Sequence, residues 1–267
     1  MANHNDLNIG FNFNNRGLSS NSSGGLNRSN RLNRSDFEEK INVYTVPYHW
    51  GIEGFYKRLY EKPLRSVLRE FGVKDVVLDV GCGDGRLTFL IAGRVRKVYG
   101  VDNQEYPIQL ARLILKRLNV RNAELKVGSV AELKYGDERF DKVICFDVIE
   151  HLKFEDVKMS ILEICRVLKK GGVLYLTTPN RRELRGRIFG HKIEKKHYYE
   201  YDIRQLCNLF RQHFRKINFY GIYLQQPIPR LEHFANVVPF RYFFNILIDA
   251  GWRFPDLSRG ILMKAVK

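Results

Sequence analysis

Two hydrophobic patterns alternate along the chain, one typical of buried strands and the other of amphipathic helices. Short apolar runs bounded by turn residues indicate strands, whereas apolar residues every three or four positions indicate helices over residues 36–71 and 201–214 and another beginning at Leu87. Strands that alternate with helices are typical of an α/β fold. The predicted strands are residues 76–80, 98–102, 140–146, 173–178, 216–224 and 261–266.

Composition divides the chain into regions. Residues 1–35 contain ten asparagines, six serines and four glycines with few aliphatic residues, so we expect them to be disordered. Residues 36–71 are predicted to form a helical lead-in that caps the main domain, which occupies residues 72–267. This domain has two expected insertions, a basic and irregular segment at about 181–200 and an aromatic-rich segment at about 225–257.

A glycine-rich turn directly follows the first predicted strand. Gly81, Gly83 and Gly85 have no Cβ, so they permit positive backbone torsions and a ligand lying against the main chain. The dinucleotide pattern G-x-G-x-x-G is not matched, because the third glycine comes one residue early and Arg86 takes the last position. Asp79, inside the strand, would repel a pyrophosphate and attract a cationic group. The turn therefore predicts an adenosine cofactor that bears a positive charge.

The run Leu78-Asp79-Val80-Gly81-Cys82-Gly83-Asp84-Gly85 resembles the first motif of the class I S-adenosylmethionine-dependent methyltransferases. Further runs that resemble motifs of this family follow in the expected order as far as Asn180. The resemblance implies a Rossmann-like, seven-stranded methyltransferase sheet flanked by helices. It also implies S-adenosylmethionine as the cofactor.

The family resemblance extends to individual cofactor contacts. In this family an acid at the end of the second strand, here Asp102, accepts hydrogen bonds from the ribose hydroxyls. Gly128-Ser129-Val130 stands where the family places Gly-Asp-Ala beside the adenine, so an uncharged hydroxyl replaces the acid. Arg65 ends a Lys-Pro-Leu-Arg run that resembles a carboxylate-binding motif, although a solvated helix face explains it equally well. The implied cofactor residues are Arg65, Asp79, Gly81, Cys82, Gly83, Gly85, Asp102, Asn103, Ser129, Val130 and Phe146.

The segment after the fourth strand is similar to the ubiquinone-biosynthesis O-methyltransferases, a small-molecule branch of the family. Asp147, Glu150 and His151 resemble its acid-x-x-Glu-His pattern, with Asp in place of the more usual Glu, and residues 178–181 match its Thr-Pro-Asn-Arg run. The resemblance implies that Asp147, Glu150 and His151 bind a divalent metal near the acceptor. The alternative is a helix cap by Asp147 with His151 in the first helical turn.

Three residues are candidates for catalysis. Methyl transfer from a sulfonium requires positioning of the acceptor and removal of its proton by a general base. His151 is the preferred base or metal ligand, because its place after the fourth strand should face the methyl group. His197 is the second candidate base, and Glu150 completes the catalytic set. A structural role is the alternative for each histidine.

Positive charge is concentrated in the last third of the chain. Residues 181–267 account for +10 of the formal net charge of +16. This excess of positive charge lies on segments that are additional to the core fold. It suits an anionic or lipid-like small-molecule acceptor, peripheral contact with an anionic membrane, or RNA. A solvated basic surface without a specific partner is the remaining interpretation.

The motifs favour methyl transfer to a small molecule, at oxygen. Base-directed amine methyltransferases need an Asn/Asp-Pro-Pro-aromatic turn after the fourth strand, which is occupied here by Phe146-Asp147-Val148-Ile149, so nucleic acid is a less favoured partner. Two alternatives stay open: an RNA or protein methyltransferase recruited by the basic last third, and a membrane-surface or assembly factor without turnover.

The expected compartment is the cytoplasm. The four cysteines form no C-x-x-C pair, which favours reduced thiols over a disulfide framework. The first residues lack the basic and apolar regions of a secretory signal, and no window is long and apolar enough to span a bilayer.

Overall fold

The structure is a computed structural model, and it describes residues 55–117, 119–226, 228, 231–235 and 237–267. The disorder predicted for residues 1–35 lies outside the described residues. The same is true of the first part of the helical lead-in, residues 36–54.

One mixed sheet contains seven strands within the described residues, and their bounds follow: β1 (Val76–Val80), β2 (Lys97–Asp102), β3 (Ala123–Val127), β4 (Phe140–Phe146), β5 (Leu168–Pro179), β6 (Lys216–Gly221) and β7 (Gly260–Val266). Their order across the sheet is β3-β2-β1-β4-β5-β7-β6. The first five strands are parallel, and β7 runs antiparallel to both β5 and β6. The predicted seven-stranded α/β fold is confirmed.

The helices connect the strands and cover the sheet, and their bounds follow: α1 (Phe55–Leu68), α2 (Arg86–Ala92), α3 (Glu105–Arg117), α4 (Phe154–Val167), α5 (Leu184–Phe189), α6 (Ile203–Phe210) and α7 (Phe240–Arg253). Helix α6 begins at a capping box, in which Asp202 and Gln205 satisfy each other's backbone N–H groups. Helix α1 lies within the described part of the segment predicted as a helical lead-in, whose role as a cap stays a prediction.

The two predicted insertions contain helices. The prediction that the segment at 181–200 is irregular is wrong for residues 184–189, which form α5. No residue of α5 is buried, so this helix needs no apolar face and its sequence shows no helical hydrophobic pattern. The segment at 225–257 contains α7, whose inward face is formed by Phe244, Ile248 and Gly251, spaced at helical intervals.

The order of the strands indicates where a ligand would bind. Strand β1 lies between β2 and β4, so the connections that leave β1 and β4 depart toward opposite sides. In open α/β sheets ligands bind at this switch point, outside the carboxyl ends of the strands. The strands beneath it form a continuous core, with Val77 and Leu78 fully buried.

Both insertions leave the sheet at this same carboxyl edge. Strand β7 is antiparallel to both β5 and β6, so β6 is parallel to β5. The segment after Gly221 and the segment after Pro179 therefore leave the sheet at the same end. The fold therefore brings the insertions to the edge at which a ligand of β1 and β2 would lie.

The described helices are all too short or too polar to cross a lipid bilayer. The four cysteines, Cys82, Cys145, Cys165 and Cys207, carry free thiols. The compartment stays a prediction.

Candidate functional site

The turn after β1 depends on three glycines with positive φ angles, at 69° for Gly81, 50° for Gly83 and 78° for Gly85. A Cβ on Gly81 would lie 2.3 Å from Cγ2 of Val148, and one on Gly85 would lie 2.9 Å from Cζ of Phe89. A Cβ on Gly83 would meet no atom within 4 Å. Packing therefore requires Gly81 and Gly85, while the space beside Gly83 is open to a ligand.

Cys82, within this turn, is held to the fold by both its backbone and its side chain. Its N–H donates to the carbonyl of Val101 at 3.1 Å, and its carbonyl accepts the N–H of Gly85 at 2.9 Å. Its side chain packs among apolar residues of α3 and β3, and burial raises the pKa of its thiol. Gly100 makes room for this sulfur, since a Cβ there would lie 2.8 Å from it. No motif or periodic pattern in the sequence predicts this contact between Cys82 and Gly100.

Asp102, at the end of β2, binds the glycine turn. One carboxylate oxygen accepts the N–H of Gly83 and the other accepts the N–H of Gln104, both at 2.9 Å. A carboxylate offers about four acceptor positions, so about two remain for a ligand with paired hydroxyls. Asn103 is exposed beside it. The predicted position of the ribose acid at the carboxyl edge agrees with this geometry.

Asp79 lies beneath the turn, with only 2% of its surface exposed. The hydroxyl of Thr88 donates to its carboxylate at 2.6 Å. Burial, reinforced by the nearby charge of Asp102, raises the pKa of Asp79 to about 7 despite that hydrogen bond. A cationic ligand group would therefore stabilise the ionised carboxylate.

The other predicted cofactor residues are spread over several elements. Ser129, exposed after β3, accepts the N–H of Ala131 through its hydroxyl at 3.1 Å, and Val130 is buried in the core beside it. Phe146 ends β4 half-buried, and Arg65 is exposed in the last turn of α1. Ser129 and Phe146 lie at the carboxyl edge, whereas Arg65 comes from a helix.

Asp147 begins the loop after β4 in a left-handed conformation, with φ at 53°. Its Oδ1 accepts the hydroxyl of Thr177 at 2.9 Å, and its N–H donates to that hydroxyl oxygen at 3.1 Å. The short 3₁₀ helix that follows, Ile149–His151, begins after Val148 with no side-chain cap. Asp147 thus fixes the loop to β5 and does not cap the helix.

Glu150 lies below the surface of the same loop, 1% exposed. The hydroxyl of Thr178 donates to its Oε2 at 3.1 Å. Burial, followed by repulsion from Asp147, raises the pKa of Glu150 well above its usual value. A positive ion or an imidazolium beside it would favour the ionised form.

Two histidines meet above Glu150. His151 is exposed, and its Nδ1 lies 3.1 Å from the carbonyl oxygen of Lys196. Because a carbonyl only accepts, this hydrogen bond places a proton on Nδ1 and leaves Nε2 of the neutral ring as an acceptor. The ring of His197 stands edge-on to that of His151, with centroids 4.8 Å apart. The two histidines predicted as bases are therefore neighbours.

The grouping that could hold a metal differs from the predicted one. Glu150, His151 and His197 each offer one ligand atom, and these atoms all lie within 4.8 Å of one another. Among the described residues Asp147 is not part of this group. His197 comes from the insertion after β5, so its approach to Glu150 could not be read from spacing.

The sequence motifs do not include Glu200 and His191, which lie near these histidines. Glu200 is buried, with Oε1 2.6 Å from Nδ1 of His197 and Oε2 2.7 Å from Nε2 of His191. The only signal is a repeated mixture of His and Glu over residues 191–200, which resembles an ordinary charged surface segment.

Sequence comparison identifies the domain that holds this site. A family described as a methyltransferase domain matches residues 72–223, a span that contains the glycine turn, Asp102 and both histidines. The chain belongs to this methyltransferase family. Membership of this family favours methyl transfer as the activity and S-adenosylmethionine as the cofactor.

Curated relatives agree with this assignment. The methyltransferase is 36% identical over 129 residues to a probable S-adenosylmethionine-dependent methyltransferase of Mycolicibacterium smegmatis, covering 48% of this chain and 47% of the relative. It is 32% identical over 137 residues to a ubiquinone biosynthesis O-methyltransferase of Serratia proteamaculans, covering 49% and 56%. The chain thus spans about half the length of the relatives it matches.

Solved structures share the fold of this methyltransferase. A Thermotoga maritima methyltransferase, described also as a possible histamine N-methyltransferase, has a TM-score of 0.59 at 20% identity, covering 86% of this chain and 97% of the other. The PH0226 protein of Pyrococcus horikoshii has a TM-score of 0.58 at 21% identity, covering 85% and 98%. Likeness at this identity establishes the fold alone, so the reaction has to be argued from the site.

The residues at the ends of β1 and β2 fit the cofactor of the methyltransferase. Asp102 has acceptor positions left for the ribose hydroxyls, and the space beside Gly83 is open to the nucleoside. Asp79 lies under the same turn with a carboxyl that a nearby ammonium group would ionise. These three residues would hold the cofactor.

Proposed function

We propose that this methyltransferase transfers a methyl group to an oxygen atom of a small-molecule acceptor. The observation that supports oxygen is the pair of histidines after β4 and β5. His151 has its proton fixed on Nδ1 by the carbonyl of Lys196, so Nε2 is available to accept a proton from a hydroxyl. The similarity to an O-methyltransferase from Serratia proteamaculans supports the same choice.

The proposed reaction needs little chemistry from the protein beyond placement and proton removal. When bound, S-adenosylmethionine supplies a methyl group already activated by its sulfonium. Nε2 of His151 would accept the proton of the acceptor hydroxyl as an O–CH₃ bond forms in place of the S–CH₃ bond, with S-adenosylhomocysteine as the second product. Holding the acceptor in line contributes up to roughly 7–11 kcal/mol, and a positioned base adds about 10²–10⁴-fold.

We propose a second role for this part of the site, which is the binding of a divalent metal ion. Glu150, His151 and His197 would hold it, since each offers a ligand atom within 4.8 Å of the others. Such an ion would acidify an acceptor hydroxyl, and its charge would favour the ionised form of Glu150. Loss of turnover in a chelator, restored by added Mg²⁺ or Mn²⁺, would support this role, whereas full turnover in the chelator would remove it.

The acceptor is proposed to be anionic. The insertion after β5 places exposed basic side chains at the carboxyl edge, and Arg181 donates to the hydroxyl of Tyr199 at 2.5 Å with its guanidinium 5.2 Å from the ring. A guanidinium fixed in this way suits a carboxylate or phosphate of an acceptor.

Peripheral contact with an anionic membrane is proposed for the start of α7. Tyr242 and Ile246 are 62% and 65% exposed there, and the guanidinium of Arg241 lies 5.8 Å from the ring of Tyr242. An exposed apolar face beside a basic residue is typical of helices that lie in a membrane interface.

Labelled S-adenosylmethionine tests the proposed reaction. The full chain is incubated with a phenol that also carries a carboxylate, such as 3,4-dihydroxybenzoate, and with a matched amine such as histamine. We expect label in the methoxy product of the phenol, identified by mass spectrometry. Label confined to the amine, or to added RNA or protein, would replace the proposed acceptor class.

A further inference from the structure

We propose that Glu200 is a positioning residue for methyl transfer, because it holds His197 in one tautomer and one orientation beside His151. This inference rests on the proposed function, in which the two histidines face the acceptor. It adds Glu200, a residue of the insertion after β5 that none of the sequence motifs includes.

Glu200 is buried, and its contacts hold its carboxylate in place. Only 4% of the residue is exposed, and each of its two carboxylate oxygens lies near a nitrogen of a different histidine. Oε1 lies 2.6 Å from Nδ1 of His197 and accepts the N–H of Glu194 at 3.2 Å. Oε2 lies 2.7 Å from Nε2 of His191. A buried carboxylate is costly without hydrogen-bond partners, so the two hydrogen bonds of Oε1 fix where the carboxylate lies.

These contacts define the tautomer and the orientation of the His197 ring. A carboxylate accepts hydrogen bonds, so the 2.6 Å contact places a proton on Nδ1 of His197 and leaves Nε2 as the acceptor atom of the neutral ring. The side chain of His197 is only 8% exposed, which limits other orientations. Its ring meets His151 edge-on with centroids 4.8 Å apart. Glu200 therefore supports the one histidine that shares the site with His151.

The same arrangement recurs where histidines act as bases or metal ligands. A carboxylate behind the imidazole selects the tautomer and stabilises the positive charge that forms when the ring takes a proton. In this protein Lys196 serves His151 through a neutral carbonyl, whereas Glu200 serves His197 through a charged group. The two rings are thus held differently, His151 by a neutral carbonyl and His197 by a carboxylate.

The backbone explains how a residue of the insertion reaches the site. The carbonyl of Glu150 accepts the N–H of Tyr198 at 2.8 Å, which joins the loop after β4 to the insertion. Tyr201 then forms a bridge to Asn180 at the end of β5. Glu200 lies between these two attachments, so its carboxylate is fixed relative to both loops.

Turnover and cofactor binding in two variants test the proposal. Glu200→Gln keeps an acceptor atom but removes the charge, and Glu200→Ala removes both. With 3,4-dihydroxybenzoate as the probe, we expect kcat to fall in the order wild type, Gln, Ala, by about 10–100-fold at the extreme. The Kd for S-adenosylmethionine should change less than twofold. Glu155→Gln and Glu155→Ala, on the exposed first turn of α4, are the matched controls and should behave like wild type.

A second readout needs no acceptor. In ¹⁵N-histidine NMR of the full chain above the titration range, His197 should show a single Nδ1–H tautomer, assigned by its loss in His197→Gln. The tautomer should persist in Glu200→Gln and become mixed in Glu200→Ala. An unchanged tautomer in Glu200→Ala would overturn the proposal even if that variant were less stable.

The two readouts separate the proposals. If wild-type protein methylates no probe, the proposed function fails, and the NMR result still decides whether Glu200 orients His197. If wild-type protein turns over but both Glu200 variants keep kcat within twofold of it, the proposed function stands and the role of Glu200 is wrong.

Discussion

The hydroxyl of Thr88 donates a hydrogen bond to the carboxylate of Asp79 at 2.6 Å, and both residues are almost fully buried. One hydrogen bond does not offset the burial of a charge, so the pKa of Asp79 rises to about 7. The carboxyl of Asp79 beneath the glycine turn is therefore partly protonated near pH 7, and a neighbouring cation would shift it toward the ionised form.

Removal of this acid should change how stability depends on pH. The pKa of Asp79 is about 7 in the folded protein and near the ordinary aspartate value of 3.8 in the unfolded chain. Its contribution to folding stability is therefore full below pH 3.8 and is lost as the pH rises through 7. Without cofactor, Asp79→Asn should be more stable than wild type near pH 8 and differ much less near pH 5. Urea unfolding at the two pH values measures this, and parallel behaviour of the two proteins would contradict the buried acid.

Alanine substitutions should separate the roles of two glycines in the turn. Gly81→Ala places its Cβ 2.3 Å from Val148 and should destabilise the fold, whereas Gly83→Ala meets no atom within 4 Å and should cost only about 1–3 kcal/mol for its positive φ. Gly83→Ala should nevertheless weaken S-adenosylmethionine binding, because its methyl group occupies the open space. Melting temperature and calorimetry report the two effects, and equal stability of the two variants would refute this division.

His151 should matter for turnover and not for the cofactor. His151→Asn removes the acceptor nitrogen, and we expect turnover to fall by about 10²–10⁴-fold while cofactor affinity stays within a few fold. His213→Asn, in the turn after α6, provides a matched control with wild-type kinetics. Wild-type turnover in His151→Asn would exclude it as base and as metal ligand.

Flotation with lipid vesicles tests the proposed membrane contact through α7. The full chain should float with vesicles that contain anionic lipid, and Tyr242→Ser together with Ile246→Ser should reduce the bound fraction. Leu162→Ser, on an exposed position of α4, is the control. Equal flotation of the control and the double variant would mean that α7 is not the contact, and no flotation of wild type would remove the membrane proposal.

Local sequence sufficed where strand and turn chemistry decide the structure. The apolar run Val76–Val80 ends at the glycines, and the structure has β1 with these bounds. The acid predicted at the end of the second strand is the last residue of β2, bound to the turn by Gly83. Parallel strands bring their carboxyl ends to one edge, so these positions followed from the order of elements.

Residues that depend on long-range packing could not be predicted in the same way. The inward direction of Cys82 depends on the space left by Gly100. The meeting of His151 and His197 depends on the path of an insertion, and Asp147 bonds to Thr177 because its left-handed backbone turns it toward β5. None of these contacts has a periodic or motif signal, because each joins positions that only the folded chain brings together.

The most direct test of the account is calorimetric titration of the full chain with S-adenosylmethionine. Wild-type protein should bind one equivalent, and Asp102→Ala should weaken binding by about 10–100-fold, since charge-assisted bonds to the ribose contribute on the order of 1.5–3 kcal/mol each. Glu105→Ala, three residues along and bonded only to Gln109 among the described contacts, should bind as wild type does. Absence of binding by the wild type, or equal affinity in Asp102→Ala, would contradict the claim that the ends of β1 and β2 form the cofactor site.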